Sequence, residues 1–190
     1  MALHNDASGK GTMSHVYVTS DWHIGHSGIT DKFRTQFPCD EAHDDYVLGR
    51  AREVVTKRDV LIVIGDATWT ESGIRKIADT FFPCRLILVR GNHDTLPTSD
   101  YLRVFSEVYG AYAYKKYWLT HIPIHPQEIL GRHNIHGHCH CGGPYETMRD
   151  ANYFNAILEF NDYLPIRIER VGEIIKEREF GKRLNKPSTV

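Results

Sequence analysis

The 190-residue chain lacks the features that mark membrane, secreted or disulfide-stapled proteins. No apolar run approaches the roughly 18 residues that a transmembrane helix needs. The N-terminal stretch is polar and has no apolar segment of the kind found in secretory signals. Four cysteines are too few and too unevenly spaced for a disulfide framework in a chain of this length. This cysteine usage favours reduced thiols and a cytoplasmic location.

Charge of one sign is not in excess either, because 23 Lys and Arg stand against 24 Asp and Glu. This balance argues against a protein that binds polyanions through bulk charge, although it leaves room for a local basic patch. Histidine, by contrast, is abundant, with 12 residues. Six of them lie in short clusters with Asp, Asn and Gly: His23, His26, His93, His121, His138 and His140.

The hydrophobic pattern predicts an α/β fold. In the first half, apolar runs typical of buried strands (residues 16–20, 59–64 and 85–90) alternate with helical patterns (41–57, about 72–81 and 99–108), the first with Asp40 as its N-cap. The second half is mostly strand-like, over residues 111–120, 132–136, 153–160 and 165–170, the last two joined by a turn, with a terminal helix over 173–180. Together these elements indicate two packed sheets flanked by helices.

The chain shows no repeat, linker or low-complexity segment that would mark a domain boundary. We therefore expect one domain over residues 15–182, preceded by a flexible leader over 1–14 and followed by a tail over 183–190. Met13 is an alternative start, so the sequence leaves open whether residues 1–12 are native.

Polar clusters follow the predicted strands, at the point where each strand ends. In open α/β sheets the loops at this edge converge on one crevice, so five such loops with metal-binding side chains predict a shared site. The clusters contain Asp21 and His23, Asp66, Asn92 to Asp94, His121, and His138 and His140.

Seven of these side chains are candidate metal ligands: Asp21, His23, Asp66, Asn92, His121, His138 and His140. Seven donors are too many for one tetrahedral ion and suit two ions that share a bridging carboxylate. A mixed nitrogen and oxygen set without thiolate favours Mn, Fe, Zn, Co or Ni over Ca or Mg. Two such ions about 3.5–4 Å apart can clamp the attacking and leaving oxygens of a phosphoryl displacement.

The ordered series Asp-x-His, Gly-Asp, Gly-Asn-His-Asp, His and Gly-His-x-His resembles the calcineurin-like metallophosphoesterase superfamily. Two stretches, Asp-Trp-His-Ile-Gly-His at residues 21–26 and Asn-Ile-His-Gly-His-Cys-His at 134–140, look like the small single-domain phosphoesterases of bacteria and their phages. The resemblance implies a four-layer α/β/β/α sandwich, with two mixed sheets between helices.

The resemblance also implies a role for each motif residue. One metal would be held by Asp21, His23, Asp66 and His140, and the second by Asp66, Asn92, His121 and His138, so that Asp66 is the bridge. A hydroxide shared by the metals would attack phosphorus. His93 would protonate the leaving oxygen as general acid, and Asp94 would orient its ring.

The function implied by the resemblance is metal-dependent hydrolysis of a phosphate ester, with two divalent ions as cofactors. Mn²⁺ is the expected ion in vitro, and Fe, Zn, Ni and Co are alternatives. We expect a phosphodiester in preference to a phosphomonoester, with a nucleotide or nucleic-acid end as the substrate class, no membrane and no obligate protein partner. The alternative is a non-catalytic scaffold on the same fold, which the presence of His93 and all seven ligands disfavours.

Several neighbouring residues are candidate substrate contacts: His26, Arg34, and Tyr145 and Arg149 on a candidate lid over residues 141–152. Arg34 has an alternative interpretation as an exposed basic residue of a solvated loop, together with Lys32. His125 competes with His121 as the ligand of that region. Cys139 and Cys141 alternate with two histidines, but their spacing is not that of a zinc finger, so we expect inert thiols.

Overall fold

A computed structural model describes residues 14–140 and 150–184, with side chains up to residue 180. The strands are β1 (Val16–Thr19), β2 (Val60–Ile64), β3 (Arg85–Val89), β4 (Glu107–Tyr109), β5 (Tyr112–Tyr114), β6 (Tyr117–Thr120), β7 (His133–His136), β8 (Tyr153–Asn155) and β9 (Ile166–Arg167). The helices are α1 (Ile29–Lys32), α2 (Asp40–Val54), α3 (Glu71–Phe81), α4 (Thr98–Tyr101) and α5 (Ile168–Leu184), and two 3₁₀ turns lie at Pro126–Glu128 and Leu158–Phe160.

The strands form two mixed sheets, as the sequence predicts. The first has the order β4-β3-β2-β1-β9 and is parallel except for β9, which pairs antiparallel with β1. The second has the order β5-β6-β7-β8, in which only the β5–β6 pair is antiparallel. Parallel neighbours place their carboxyl ends at one edge, so the loops after these strands meet.

Alternate residues of the central strand β2 face different layers. Leu61 and Val63 pack with the buried faces of α2 and α3, whereas Ile62 and Ile64 pack with the second sheet and α5. This period-two alternation places one apolar core on each face of the first sheet. Because both faces of β2 are buried, its sequence is a continuous apolar run. The layers are therefore helices, sheet, sheet and helix, which is the predicted α/β/β/α sandwich.

The helix predicted over 99–108 is wrong beyond its first turn, because α4 ends at Tyr101 and residues 107–109 form strand β4. The N-cap prediction for Asp40 is also wrong. Cys39 occupies the cap position, and the Asp40 carboxylate instead accepts hydrogen bonds from the Gly28 amide at 2.7 Å and the Thr30 hydroxyl at 2.8 Å. Asp40 thus ties the start of α2 to the loop that contains α1.

The predicted strand pair of the C-terminal region is the largest correction. The first strand ends at Asn155 and is followed by a 3₁₀ turn, while the second has only two residues and pairs with β1 in the other sheet. Helix α5 begins at Ile168, five residues before the predicted start, because Ile168, Val171 and Ile175 recur at helical spacing on its buried face. It continues to Leu184, two residues into the predicted tail.

Within the described ranges, no helix combines the length and apolarity that crossing a membrane requires.

Candidate metal centre and its cavity

The structure brings the ligand candidates together at the carboxyl edge of both sheets. Asp21 lies just beyond β1 and has its Oδ1 3.2 Å from His140 Nε2. Asp66 lies just beyond β2 and has its Oδ2 3.2 Å from His121 Nε2. The same His121 nitrogen is 3.0 Å from the amide oxygen of Asn92.

The two remaining ligand candidates, His23 and His138, lie close to residues of both pairs. His23 Nε2 lies 3.9 Å from Asp21 Oδ1 and 3.8 Å from Asp66 Oδ2. The backbone amide of His138 donates to Asp21 Oδ2 at 3.0 Å, and its ring centroid is 5.2 Å from that of His121. All seven predicted ligands therefore surround one site, which extends over five loops.

The geometry of these donors fits divalent metal ions. Two groups have ligand atoms within 4.8 Å of one another: Asp21 with His23 and His140, and Asp21 with Asp66 and His121. Both carboxylates are almost fully buried, and His23 Nδ1 is buried without a hydrogen-bond partner. Buried carboxylates this close together repel each other, so a divalent cation is the natural counter-charge. The candidate ligand groups of the described chain contain no cysteine; Cys139 is buried, and Cys141 lies outside the described residues.

Four of the ligand residues have left-handed backbone conformations. The φ angles are 61° at Asp21, 54° at His23, 52° at Asp66 and 70° at His138. Such angles are uncommon for residues with a Cβ, and they cluster where a site imposes strain. All four residues lie in the loops that follow β1, β2 and β7, so the left-handed conformations occur where the ligand candidates meet.

Glycines that precede the ligands make room for ligands from other loops. A Cβ on Gly65 would overlap the imidazole of His121, and one on Gly91 would overlap the carboxylate of Asp66. A Cβ on Gly137 would likewise overlap Asp21. The glycines of the sequence motifs are therefore required by a ligand candidate from the loop after another strand, which lies directly against them.

Asp94 holds two of these loops together. Its buried carboxylate accepts hydrogen bonds from four backbone amides: those of Asp66 and Ala67 at 2.9 Å, Gly91 at 2.8 Å and Thr68 at 3.2 Å. The implied role of Asp94 in orienting the His93 ring stays a prediction, and the hydrogen bonds that the described structure gives its carboxylate come from these backbone amides. Burial raises the pKa of Asp94 to about 6, with the Asp66 charge adding to the rise and the amide donors opposing it.

Arg34 is buried beneath the site, so its interpretation as an exposed loop residue is wrong. Its guanidinium donates to the carbonyl oxygens of Asp21 at 2.6 Å and Trp22 at 3.0 Å, and to Glu159 Oε1 at 3.0 Å. It also contacts His43 Nε2 at 2.6 Å. Arg34 thus holds the loop after β1 through the backbone carbonyl groups of that loop. It also lines the cavity described below.

Two further residues of α2 support the same loop and were not singled out by sequence. The buried Asp44 accepts from the Gly25 amide at 3.1 Å and pairs with Lys76 at 2.8 Å. Its neighbour His43 lies 3.2 Å from it and contacts Arg34. Gly25 and Lys76 lie 19 and 32 residues from Asp44, so no short motif contains these pairs. Only the helical position of His43 and Asp44 beside apolar Val47 gave a signal that they face inward.

A cavity of about 480 Å³ opens beside the ligands, lined by His23, His26, Ile29, Phe33, Arg34, His93, His140 and Glu159. His93 is exposed there, with its ring centroid 5.5 Å from that of His23 and 5.3 Å from that of Trp69. His26 packs against Trp69 at 4.4 Å. Of the predicted substrate contacts, His26 and Arg34 therefore line this cavity, whereas Tyr145 and Arg149 lie outside the described residues.

The remaining candidates lie elsewhere. His125 is exposed at the start of a 3₁₀ turn, where its Nδ1 accepts from the Gln127 amide, and His121 occupies the metal centre instead. Trp22 is buried and stacks on Phe81, so it packs the core. Lys32 is exposed on α1.

The electrostatics of the centre follow from its buried carboxylates. Burial lowers the pKa of His23. Burial also acts to lower the pKa of His140, but hydrogen bonds to Asp21 and Glu159 outweigh it and raise that pKa to about 9. At His121 the Asp66 hydrogen bond and the Asp21 charge overcome burial and raise the pKa. The buried carboxylates thus favour positive charge at both imidazoles, in the region where a cation would bind.

Comparisons with known proteins agree with this architecture. The chain is similar over 85% of its length to the whole of a protein of unknown function from Aquifex aeolicus, with a TM-score of 0.68 and 24% sequence identity, which supports the fold. No curated protein matches the sequence significantly. The family model for calcineurin-like phosphoesterases matches residues 14–186, which includes every described ligand. The chain therefore belongs to the calcineurin-like phosphoesterase family.

Proposed function

We propose that this protein hydrolyses phosphate esters with two divalent metal ions, and that it prefers phosphodiesters to phosphomonoesters. The observation that carries the proposal is the position of Asp66 Oδ2, which lies 3.8 Å from His23 Nε2 and 3.2 Å from His121 Nε2. One carboxylate thus lies between a ligand of each group, which is the arrangement that a shared, bridging ligand requires.

Two divalent ions, when bound, neutralise the charge of a phosphoryl group and activate water at neutral pH. Asp21, His23 and His140 would hold one ion, and Asn92, His121 and His138 the other, with Asp66 between them. Mn²⁺ is our proposed ion in vitro, and Fe, Zn, Ni and Co are alternatives, because the donors are imidazole nitrogens and oxygens without thiolate.

His93 is the proposed general acid. Its backbone amide donates to Asp66 Oδ1 at 2.8 Å, which fixes the residue against the bridging carboxylate. Its side chain remains exposed at the cavity and is flanked by His23 and Trp69. From this position the imidazolium can donate its proton to the leaving oxygen of a bound ester.

The cavity wall supports the preference for diesters. Ile29 and Phe33 provide an apolar surface beside His26, and Phe33 is 75% exposed. A diester keeps an organic group on each side of phosphorus, so one group can leave near His93 while the other packs against this wall. Nucleotides and nucleic-acid ends are the proposed substrate class, because an aromatic base can stack on an exposed phenyl ring.

The proposal is tested by comparing hydrolysis of p-nitrophenyl phosphate and bis-p-nitrophenyl phosphate by chelator-stripped protein with Mn²⁺ added back. We expect activity only with metal and faster turnover of the diester. Faster turnover of the monoester would overturn the preference for diesters. Absence of activity on both esters, with two ions bound, would favour the non-catalytic scaffold.

The role of His93 is tested in the same assay with esters of different leaving groups. The change His93→Ala should retain bound metal and slow alkyl esters by about 10²–10⁴-fold, but slow nitrophenyl esters less, because nitrophenolate leaves without a proton. His125→Ala, which removes an exposed imidazole, is the matched control and should behave as the wild type. An equal loss for both leaving groups would contradict the general-acid role.

A further inference from the structure

Glu159 lies against the metal centre although no sequence motif includes it. It belongs to the 3₁₀ turn Leu158–Phe160 that follows β8. Its Oε1 is 3.2 Å from Nδ1 of His140, whose Nε2 faces Asp21 Oδ1 at 3.2 Å. The imidazole of His140 is therefore held between a carboxylate of the metal centre and one outside it.

The contact with Glu159 determines which nitrogen of His140 can bind a metal. A carboxylate oxygen of Glu159 accepts hydrogen bonds, so the Nδ1 of His140 carries the proton and donates it. Nε2 faces the side where Asp21 and His23 lie, so a metal that displaces the Nε2 proton there meets the lone pair of this nitrogen. This is the carboxylate–histidine–metal arrangement, in which the outer carboxylate sets the tautomer and the ring orientation.

His140 is held less firmly by burial than His23 and His121 are. Its side chain is 39% exposed, against 7% for His23 and 2% for His121. His121 is already fixed through its Nδ1, which lies 3.0 Å from the carbonyl oxygen of Ile64. The Nδ1 of His140 is held by a side chain, that of Glu159, and not by a backbone carbonyl group. The orientation of the His140 imidazole therefore depends on how firmly Glu159 itself is held.

Arg34 holds Glu159 in place. Its Nε donates to the same Oε1 at 3.0 Å, and its terminal nitrogens donate to the carbonyl oxygens of Asp21 and Trp22. The guanidinium is always charged and is buried here, so it both balances Glu159 and ties it to the loop after β1. Arg34 and Glu159 thus connect the two loops that supply Asp21, His23 and His140.

We propose that Glu159 is a positioning residue that fixes the His140 imidazole for metal binding, and that Arg34 holds Glu159 against the Asp21 loop. The proposal rests on the metal centre proposed above. Since partners of this kind are worth about 10–100-fold in metal affinity, we expect a loss of that size at the ion held by Asp21, His23 and His140. The ion held by Asn92, His121 and His138 should be unaffected.

The experiment is a calorimetric titration of chelator-stripped protein with Mn²⁺ and without substrate. Glu159→Gln is the principal variant, because glutamine keeps the size of the side chain and an oxygen for Arg34 while it removes the charge. It should weaken one of the two Mn²⁺ sites, and Glu159→Ala should weaken the same site more. Glu128→Gln, on the exposed 3₁₀ turn Pro126–Glu128, is the matched control and should bind as the wild type.

A double-mutant comparison separates positioning from a general structural effect. His140→Ala should weaken the same Mn²⁺ site, and adding Glu159→Gln to it should cause no further loss, because Glu159 acts through His140. A further loss of the same size in the double variant would overturn the proposal, as would unchanged Mn²⁺ binding by both Glu159 variants. If the wild type binds no Mn²⁺, the proposed function fails as well, which is a different result from failure of the Glu159 assignment alone.

Discussion

The carboxylate of Asp94 lies against the backbone of Asp66, whose amide donates to it at 2.9 Å. This contact crosses from the loop after β3 to the loop after β2, and Gly91 donates to the same carboxylate oxygen at 2.8 Å. The loop that carries the proposed bridging ligand is therefore fixed through its backbone amides by a buried side chain from the loop after β3.

Asp94→Asn tests this support. Asparagine offers one acceptor oxygen in place of two, and its NH₂ group would face backbone N–H donors that lose their partners. Because each unpaired buried donor costs about 1–3 kcal/mol, we expect unfolding free energy to fall by about 2–4 kcal/mol and Mn²⁺ affinity to fall with it. Urea denaturation and calorimetry measure the two effects. Asp79→Asn, on an exposed position of α3, is the control, and equal stability of the two variants would contradict the prediction.

Metal binding should release protons. The pKa of His140 is raised to about 9, so at pH 7 its imidazole carries a second proton that a metal must displace, and the pKa of His121 is shifted in the same direction. We therefore expect Mn²⁺ affinity to increase from pH 7 to pH 9. Calorimetry at pH 7 in buffers of different ionisation enthalpy counts the released protons. A binding enthalpy that does not depend on the buffer would contradict the prediction.

The residues that meet at the candidate metal centre could be predicted from sequence because each lies within a few residues of a strand end. An apolar run followed by Gly-Asp or Gly-Asn-His-Asp contains both the element and its turn. The left-handed φ of Asp66 and the space above Gly65 explain why these residue pairs occur there. Order along the chain and the common edge of the sheet then identify the site.

The supporting residues could not be predicted, because their partners are distant in sequence. Arg34 is 125 residues from Glu159, and Asp44 is 32 residues from Lys76. A short motif contains no information about such pairs. Asp94 shows the same limit within a motif, since no short motif indicates that its carboxylate accepts hydrogen bonds from backbone amides of the loop after β2.

Some elements of the fold could likewise be predicted from the sequence, and others could not. The buried strands β2 and β3 were predicted within a residue because both of their faces are covered and their apolar runs are continuous. The C-terminal elements were not, because Ile166 and Arg167 form a strand only by pairing with β1, and the helix starts at the next residue. A two-residue strand of this kind depends on its partner and not on its own sequence.

Asp44→Asn should change the pH dependence of stability. Burial acts to raise the pKa of Asp44, but hydrogen bonds from His43, Lys76 and the Gly25 amide outweigh it and lower that pKa. A lowered folded pKa means that the ionised form stabilises the fold above the unfolded value of about 4, and that this contribution is lost as the pH falls through the folded value. We expect Asp44→Asn to reduce the unfolding free energy at pH 7 by about 1–3 kcal/mol.

The difference between Asp44→Asn and the wild type should shrink as the pH is lowered below 4, since the wild-type carboxylate then also loses its charge. Urea denaturation of both proteins between pH 3 and pH 7 measures it. Asp45→Asn, at the next and exposed position of α2, is the matched control and should show a much smaller difference. A difference for Asp44→Asn that stays constant with pH would contradict the assignment.

A comparison of Gly65→Ala with Gly131→Ala should separate the cost of backbone strain from the effect of crowding the His121 imidazole. Gly65 and Gly131 have nearly the same φ, 79° and 78°, but an added Cβ overlaps the His121 imidazole at Gly65 and meets no atom within 4 Å at Gly131. Gly131→Ala should therefore cost only the strain of a left-handed alanine, about 1–2 kcal/mol, and bind two Mn²⁺ ions. Gly65→Ala should cost more and lose the ion that His121 holds, because the imidazole must move away from Asp66 and Asn92. Thermal unfolding and Mn²⁺ stoichiometry of both variants measure this, and two tightly bound ions in Gly65→Ala would show that His121 is not a ligand.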